Sequence, residues 1–201
     1  MPLIKSISGI RGTIGGKPGN SLSPVDIVKF TSAYATWLKN QNKKNNYNVV
    51  VGRDARISGA FVMQLVTNTL VSCGINVIDL NLSTTPTVEF AVLQHNADGG
   101  IIITASHNPV EWNALKLLNN KGEFLNAEDG KQLLDIADAD SFSFSSVEKL
   151  GNITTDVTAL DKHIEAVVQY SLVDATLIKK KKFKIVIDGI NSTGATAVPA
   201  L

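Results

Sequence analysis

The sequence is short of cysteine, of net charge and of long apolar runs, and each shortage removes a class of function. Cys73 is the only cysteine among 201 residues, so no internal disulfide can form and no second thiol stands at metal-ligand spacing. It lies on an apolar stripe and is expected to be a small buried core residue. Nineteen Lys and Arg are balanced by 18 Asp and Glu, for a net charge of +1. Aromatics make up 6% of residues, and no basic stripe is interleaved with them, so a nucleic-acid partner is not expected. The one dense charge run, Lys179–Lys182, precedes an apolar stretch and reads as a solvated turn that guards it. No segment approaches the roughly 18 apolar residues of a membrane span, and the first twelve residues contain no signal-like apolar run. The expectation is a cytoplasmic protein without a membrane partner.

What is present is an alternation of apolar strands and amphipathic helices. Ser23-Pro24-Val25-Asp26 has the form of a helix start, with Ser as N-cap, Pro at the first helical position and Asp placed to reach back. Ile27, Phe30, Tyr34 and Leu38 then recur at helical spacing. A second helix carries Val62, Leu65, Val66, Thr69 and Leu70 on one face and closes at Gly74, a third starts at Pro86, and a fourth covers residues 127–137. Between them, Asn48–Gly52, Ile75–Leu80 and Gly100–Thr104 are short strands without polar alternation, as in a sheet covered on both faces. Leu115–Asn119 and Glu123–Leu125 flank Lys121-Gly122 as a candidate hairpin. The fold expected is α/β: a three-layer α/β/α domain with a mostly parallel mixed sheet. It should occupy residues 1–140, followed by a polar linker over 141–155. Residues 156–201, with a helix and a strand at Lys184–Asp188, then form the start of a second, incomplete domain, because one helix and one strand cannot bury a core.

Chemistry concentrates in Thr104-Ala105-Ser106-His107-Asn108-Pro109, where a buried strand ends in a hydroxyl, an imidazole and an amide. Ligands gather at the carboxyl ends of strands in open α/β sheets. A hydrolytic serine is disfavoured, because the Gly-x-Ser-x-Gly elbow is absent and His107 adjoins Ser106 directly. His95 and His163 read as surface histidines.

Four stretches resemble the α-D-phosphohexomutase family, in its order: Ser8-Gly9-Ile10-Arg11-Gly12, then Val51-Gly52-Arg53-Asp54-Ala55-Arg56 with Ser58-Gly59, Ile103–Pro109, and Glu111-Trp112-Asn113-Ala114-Leu115-Lys116. The family comprises phosphoglucomutases, phosphomannomutases and phosphoglucosamine mutases. The resemblance implies a first domain of phosphoglucomutase type in which Ser106 carries a phosphoryl group. That group passes to a hexose phosphate and returns from a hexose 1,6-bisphosphate, which also serves as activator. Arg11 and Lys116 are implied as charge-neutralising and proton-handling groups, and His107 as an orienting or sugar-binding one. Arg53, Asp54 and Arg56 either support the site through ion pairs or touch substrate, and the supporting role is favoured. Gly189–Gly194 resembles the turn that opens the family's second domain.

Two departures concern substrate preference: Asn113 is followed by Ala114 rather than glycine, and Ile7-Ser8 stands where many members carry other residues. The family's Mg²⁺ is held by an Asp-Gly-Asp-Gly-Asp-Arg loop that this sequence does not contain, which leaves a phosphorylated Ser106 as its only candidate metal contact. The remaining domains of the full-length enzyme are therefore implied as partners. Glucose or mannose phosphate is favoured as substrate over glucosamine phosphate, and a non-catalytic sugar-phosphate-binding module is the alternative of a different class.

Overall fold

The computed structural model describes residues 3–6 and 9–201, so Ile7 and Ser8 of the first motif lie outside the described residues. Its strands are β1 (Ile4–Ser6), β2 (Gly9–Thr13), β3 (Asn48–Arg53), β4 (Asn76–Leu82), β5 (Gly99–Ile103), β6 (Trp112–Leu118) and β7 (Ile153–Thr155). Its α-helices are α1 (Pro24–Gln41), α2 (Gly59–Ser72), α3 (Thr85–Gln94), α4 (Ala127–Asp138), α5 (Ala159–Val168), α6 (Ala175–Lys181) and α7 (Gly194–Ala200).

Helix α1 starts as its sequence dictates. The Ser23 side chain accepts from the Asp26 amide at 3.4 Å, and Asp26 accepts from the Ser23 amide at 3.2 Å. This reciprocal cap satisfies two donors that a helix start otherwise leaves open. A second Asp26 oxygen accepts from Gly19 N–H at 2.9 Å, which ties the preceding glycine-rich loop to the helix.

All seven strands form one sheet in the order β1-β2-β6-β5-β3-β4-β7. The pairs β5·β3, β3·β4 and β4·β7 are parallel, whereas β1·β2, β2·β6 and β6·β5 are antiparallel. Consecutive strand residues enter opposite cores. Val49, Val51, Ile101, Ile103, Leu115 and Leu117 pack under α1, α2 and α4, while Val50, Ile102 and Leu118 pack under α3. Burial on both faces is why these strands carry no polar alternation. Strands β1 and β2 pair antiparallel at the edge of the sheet beyond β6. The hairpin expected after Leu115 reduces to a single Leu118–Phe124 bridge, because β6 is already flanked by β2 and β5.

Tyr34 locks α1 onto this sheet. Its ring is fully buried, and its hydroxyl lies 2.7 Å from the Leu118 carbonyl and 3.1 Å from that of Gly100. Gly99 makes the room, since a Cβ there would stand 2.2 Å from the Tyr34 oxygen.

Three sequence expectations change beyond residue 140. The stretch read as a linker supplies β7, which extends the sheet alongside β4. Helix α5 lies across α3, with Ala159 buried in the core beneath it. The two histidines read as surface residues are both partnered there. His95 Nε2 lies 2.8 Å from Asp156 Oδ2, while His163 Nδ1 lies 3.0 Å from Thr87 Oγ1 with its ring stacked on Phe90. Sequence distance hid these pairs, because each joins residues at least 61 apart. Lys184–Asp188 forms no strand: Ile185 and Val186 are 76% and 98% exposed, and the segment has no neighbouring strand to satisfy its backbone groups. Lys179–Lys181 close helix α6, fully solvated as expected. Among the described residues, no helix is long and apolar enough to cross a membrane.

Two outcomes follow from this packing. Gly99→Ala and Tyr34→Phe should each cost about 1–3 kcal/mol in urea unfolding. The double variant should fall short of their sum by at least about 0.5 kcal/mol, since removing the hydroxyl relieves the closest clash and leaves that with the Leu118 carbonyl at 2.7 Å; strict additivity would contradict the contact.

The second outcome concerns pH. Burial of His163 pulls its pKa down from 6.5. Its neutral form therefore stabilises the α5 contact fully above that value, and the contribution is lost as pH falls below it. Burial of Asp156 opposes its ionisation, but the Thr158 hydroxyl and amide, His95 and Lys162 outweigh it and bring the carboxyl down to about 2. Asp156 thus stays charged throughout that window. The protection of α5 amides, corrected for the intrinsic exchange rate, should fall as pH is lowered from ~7.5 to ~5.5, and His163→Gln should flatten the dependence.

Candidate active site

The site begins where β5 leaves the sheet. Beyond Ile103 the backbone keeps one more sheet bond, from Thr104 N–H to the Ala114 carbonyl at 3.2 Å. The Thr104 hydroxyl donates to Asp54 Oδ2 at 2.6 Å and accepts from Ser106 N–H at 3.1 Å. Ser106 then adopts φ +53°, a left-handed conformation that costs a non-glycine residue roughly 1–2 kcal/mol. Its side chain is exposed at the loop crest.

One guanidinium holds this turn. Arg56 Nη2 donates to the carbonyls of Ser106 and Asn108, both at 2.7 Å. Its Nη1 donates to Pro109 at 2.7 Å and to Trp112 at 3.0 Å. Its Nε stands 3.3 Å from Asp54 Oδ2, an ion-pair contact, and the side chain is 12% exposed. The Gly52–Ser58 loop therefore supports the serine loop from beneath, the role favoured from the sequence. Its members divide the work, however. Arg53 turns away to Asn81 Oδ1 at 3.0 Å, and Asp54 acts through Thr104. Asn113, fully buried, adds a further tie by donating to the Ser58 hydroxyl at 2.9 Å.

The crest overlooks a cleft of ≈ 230 Å³ lined by Arg11, Thr104, Ser106, His107 and Lys116, with Gly9, Ala114 and Phe124 among its walls. The sequence-derived site residues Ser106, His107, Lys116 and Arg11 thus meet at one cavity. Sheet register explains how. Arg11 pairs with Ala114 and Ile102 with Lys116, which puts Arg11, Ala114 and Lys116 on the α3 face of neighbouring strands. Gly9 leaves room between them, with φ +121° and an ideal Cβ only 2.2 Å from the Leu115 carbonyl. Ala114 sits in β6 with its methyl group on the cleft floor, so the alanine in place of glycine fits without a left-handed backbone.

The electrostatics are one-sided. Among the described residues, neither Arg11 nor Lys116 has a carboxylate within ion-pair distance, and Lys116 Nζ lies 5.8 Å from the Phe124 ring centroid. An acidic influence on Lys116 is Glu89, whose carboxyl is held up by burial and only partly drawn down by Lys116. Two cations facing an exposed hydroxyl form a cradle for an anion. His107 Nδ1 is 3.4 Å from Ser106 Oγ, and no carboxylate among the described residues holds its other nitrogen, so the pair lacks the third member of a hydrolase triad. Asp54 and Thr104, the hidden members of the loop network, were signalled only by lying at the ends of adjacent parallel strands. No group of three or more metal-ligating side chains occurs among the described residues.

The strain at Ser106 has a measurable sign. Ser106→Gly should leave the chain about 1 kcal/mol more stable than Ser106→Ala in denaturant unfolding, because only glycine adopts this φ freely. Equal stabilities would show that the left-handed turn is not maintained in solution.

Residues 3–144 match the model of the phosphoglucomutase/phosphomannomutase alpha/beta/alpha domain I. The chain is 33% identical, over 94% of its length, to a phosphoglucomutase/phosphomannomutase of Thermococcus kodakarensis, covering 41% of that protein. It is likewise 33% identical to a phosphoglucosamine/phosphogalactosamine mutase of Sulfurisphaera tokodaii, over 95% of the chain and 40% of the relative. It thus spans about two fifths of the curated relatives it matches. A parafusin (phosphoglucomutase) structure from Paramecium, at 18% identity, shares the fold over 98% of this chain and 41% of its own, with a TM-score of 0.69. The serine loop, the cation pair and the α/β/α layering accordingly place the chain in the phosphoglucomutase/phosphomannomutase family, whose first domain it carries.

Proposed function

We propose that this chain is the phosphoryl-carrying part of a phosphohexomutase that interconverts hexose 1-phosphate and 6-phosphate. The observation that carries the reading is the exposed Ser106 hydroxyl, fixed in a strained turn and faced by Arg11 and Lys116, two cations without carboxylate partners among the described residues.

In the reaction, the Ser106 Oγ–P bond breaks as a free hydroxyl of the bound hexose phosphate forms a new O–P bond, giving a hexose bisphosphate. The bisphosphate turns over, its other phosphoryl group returns to Ser106 Oγ, and the isomeric monophosphate leaves. A covalent carrier splits one transfer into two of matched difficulty. Phosphoryl transfer needs positioning and charge neutralisation above all, which Arg11 and Lys116 supply at the equatorial oxygens. Lys116 can also relay the proton exchanged between the serine and sugar hydroxyls, while the Arg11 guanidinium stays charged beside it. His107, beside Ser106 Oγ, orients the loop or binds the sugar. Hexose 1,6-bisphosphate is the activator, because it alone can load an unphosphorylated Ser106.

The family's Mg²⁺ would supply further charge neutralisation. The described residues fit no more than one contact to it, a phosphoryl oxygen on Ser106, so its other ligands belong to regions outside this chain. The phosphoserine domain in this reading runs through β7 and α5, which pack on its sheet and on α3, and the residues after α5 open a second domain against which the sugar is held. Glucose or mannose phosphate is the favoured substrate, with glucosamine phosphate the alternative that the relatives' mixed names support.

Within the full-length enzyme, incubation with Mg²⁺ and glucose 1,6-bisphosphate should add a single phosphoryl group by intact mass, and Ser106→Ala should gain none. The chain by itself should not turn over glucose 1-phosphate. A folded full-length enzyme that stays unlabelled, or a label that survives Ser106→Ala, would overturn the carrier reading.

A further inference from the structure

We infer that the backbone N–H of His107 is a donor to the phosphoryl oxygens on Ser106, and that Arg56 is the positioning residue that aims it. The inference rests on the phosphoryl-carrier reading of Ser106 and adds to it a group that no side-chain motif announces.

The argument starts from the planarity of the peptide group. No cis peptide occurs among the described residues, so in each unit the C=O and N–H point in opposite directions. The Ser106 carbonyl points inward, to Arg56 Nη2 at 2.7 Å. The N–H of the same peptide unit belongs to His107 and therefore points away from the guanidinium, toward the side where Ser106 and His107 line the cleft. The flanking amides are already engaged: Ser106 N–H donates to Thr104 Oγ1 at 3.1 Å and Asn108 N–H to the Ala105 carbonyl at 3.0 Å. His107 N–H takes no acceptor among the described residues. Of the three amides at the crest, it alone is available to a ligand.

Arg56 does not reach the cleft, since its two Nη atoms are occupied by four carbonyls. It acts only through the loop. A planar fork can hold four carbonyls in fixed directions, which an ammonium on a flexible stem cannot reproduce. The left-handed turn at Ser106 belongs to the same device, because it lets the carbonyl turn inward while Oγ stays at the crest. An amide fixed in advance toward the phosphoryl oxygens needs no reorganisation when the group arrives.

The test uses the chain with phosphoserine installed at position 106 by nonsense suppression, followed by proton–nitrogen and phosphorus NMR. Relative to the unphosphorylated chain, the His107 amide proton should move downfield and exchange roughly tenfold more slowly or less still. In Arg56→Lys most of that slowing should be lost. Phosphate titration separates the two ideas. If its second pKa lies below about 6 and rises in Arg11→Gln, the cation-lined carrier site stands. If the pKa is lowered yet the His107 amide neither moves nor slows, the inference falls and the carrier reading survives. An ordinary pKa, unaffected by Arg11→Gln, would remove both. Should Arg56→Lys fail to fold, the comparison of phosphorylated and unphosphorylated parent chains still decides the role of the amide.

Discussion

A chain that leaves the end of a buried strand must find partners for its carbonyls, and here Arg56 provides them. Its guanidinium collects four carbonyls between Ser106 and Trp112, and its Nε rests against Asp54. The carbonyls range from half-buried to exposed, so what Arg56 supplies is chiefly direction: four acceptors held by one planar group fix the shape of the loop. Three segments meet at it: the loop after β3, the loop after β5 and the start of β6. The strained turn at Ser106 persists because these contacts over-determine it, as strained residues at functional sites require.

The mixed sheet divides the remaining labour. Its parallel half delivers the hydroxyl, because β5 and β3 end side by side and their loops interlock through Asp54 and Thr104. Its antiparallel half delivers the charge, because β2 runs against β6 and sets Arg11 beside the strand that bears Lys116. Neither half makes an anion site alone. The β5–β6 pairing joins them, and the same two strands receive the Tyr34 hydroxyl that fixes α1 to the sheet.

The parts legible in the sequence were those set by local rules. The capping residues of α1, the helical spacing of Val62, Val66 and Leu70, and the uniform apolarity of β3 and β5 each report a nearby cause. The serine loop was legible through its motif, and Ser106, His107, Lys116 and Arg11 do converge on one cleft. What escaped was non-local. Nothing local marked Arg11 as a strand residue, because its partner, Ala114, lies far along the chain. His95 and His163 looked superficial because Asp156 and Thr87 approach them only after α5 folds back. Lys184–Asp188 has the composition of a strand, but composition supplies no neighbour, and the segment stays irregular and exposed.

The position of β7 gives the chain an order of assembly. It closes the β4 edge of the sheet with residues 153–155, and β1 and β2 close the other edge only after β6, at residues 112–118, is available. On a ribosome that releases the chain from its N-terminus, the first strands made are thus among those that must wait, and the β4 edge stays bare until the last strand appears. A chain cut after α4 would keep every residue of the serine loop and still present an open sheet edge, ready to pair with another molecule. The segment that reads as a linker in composition is, for the growing chain, the latch that makes the sheet safe to release.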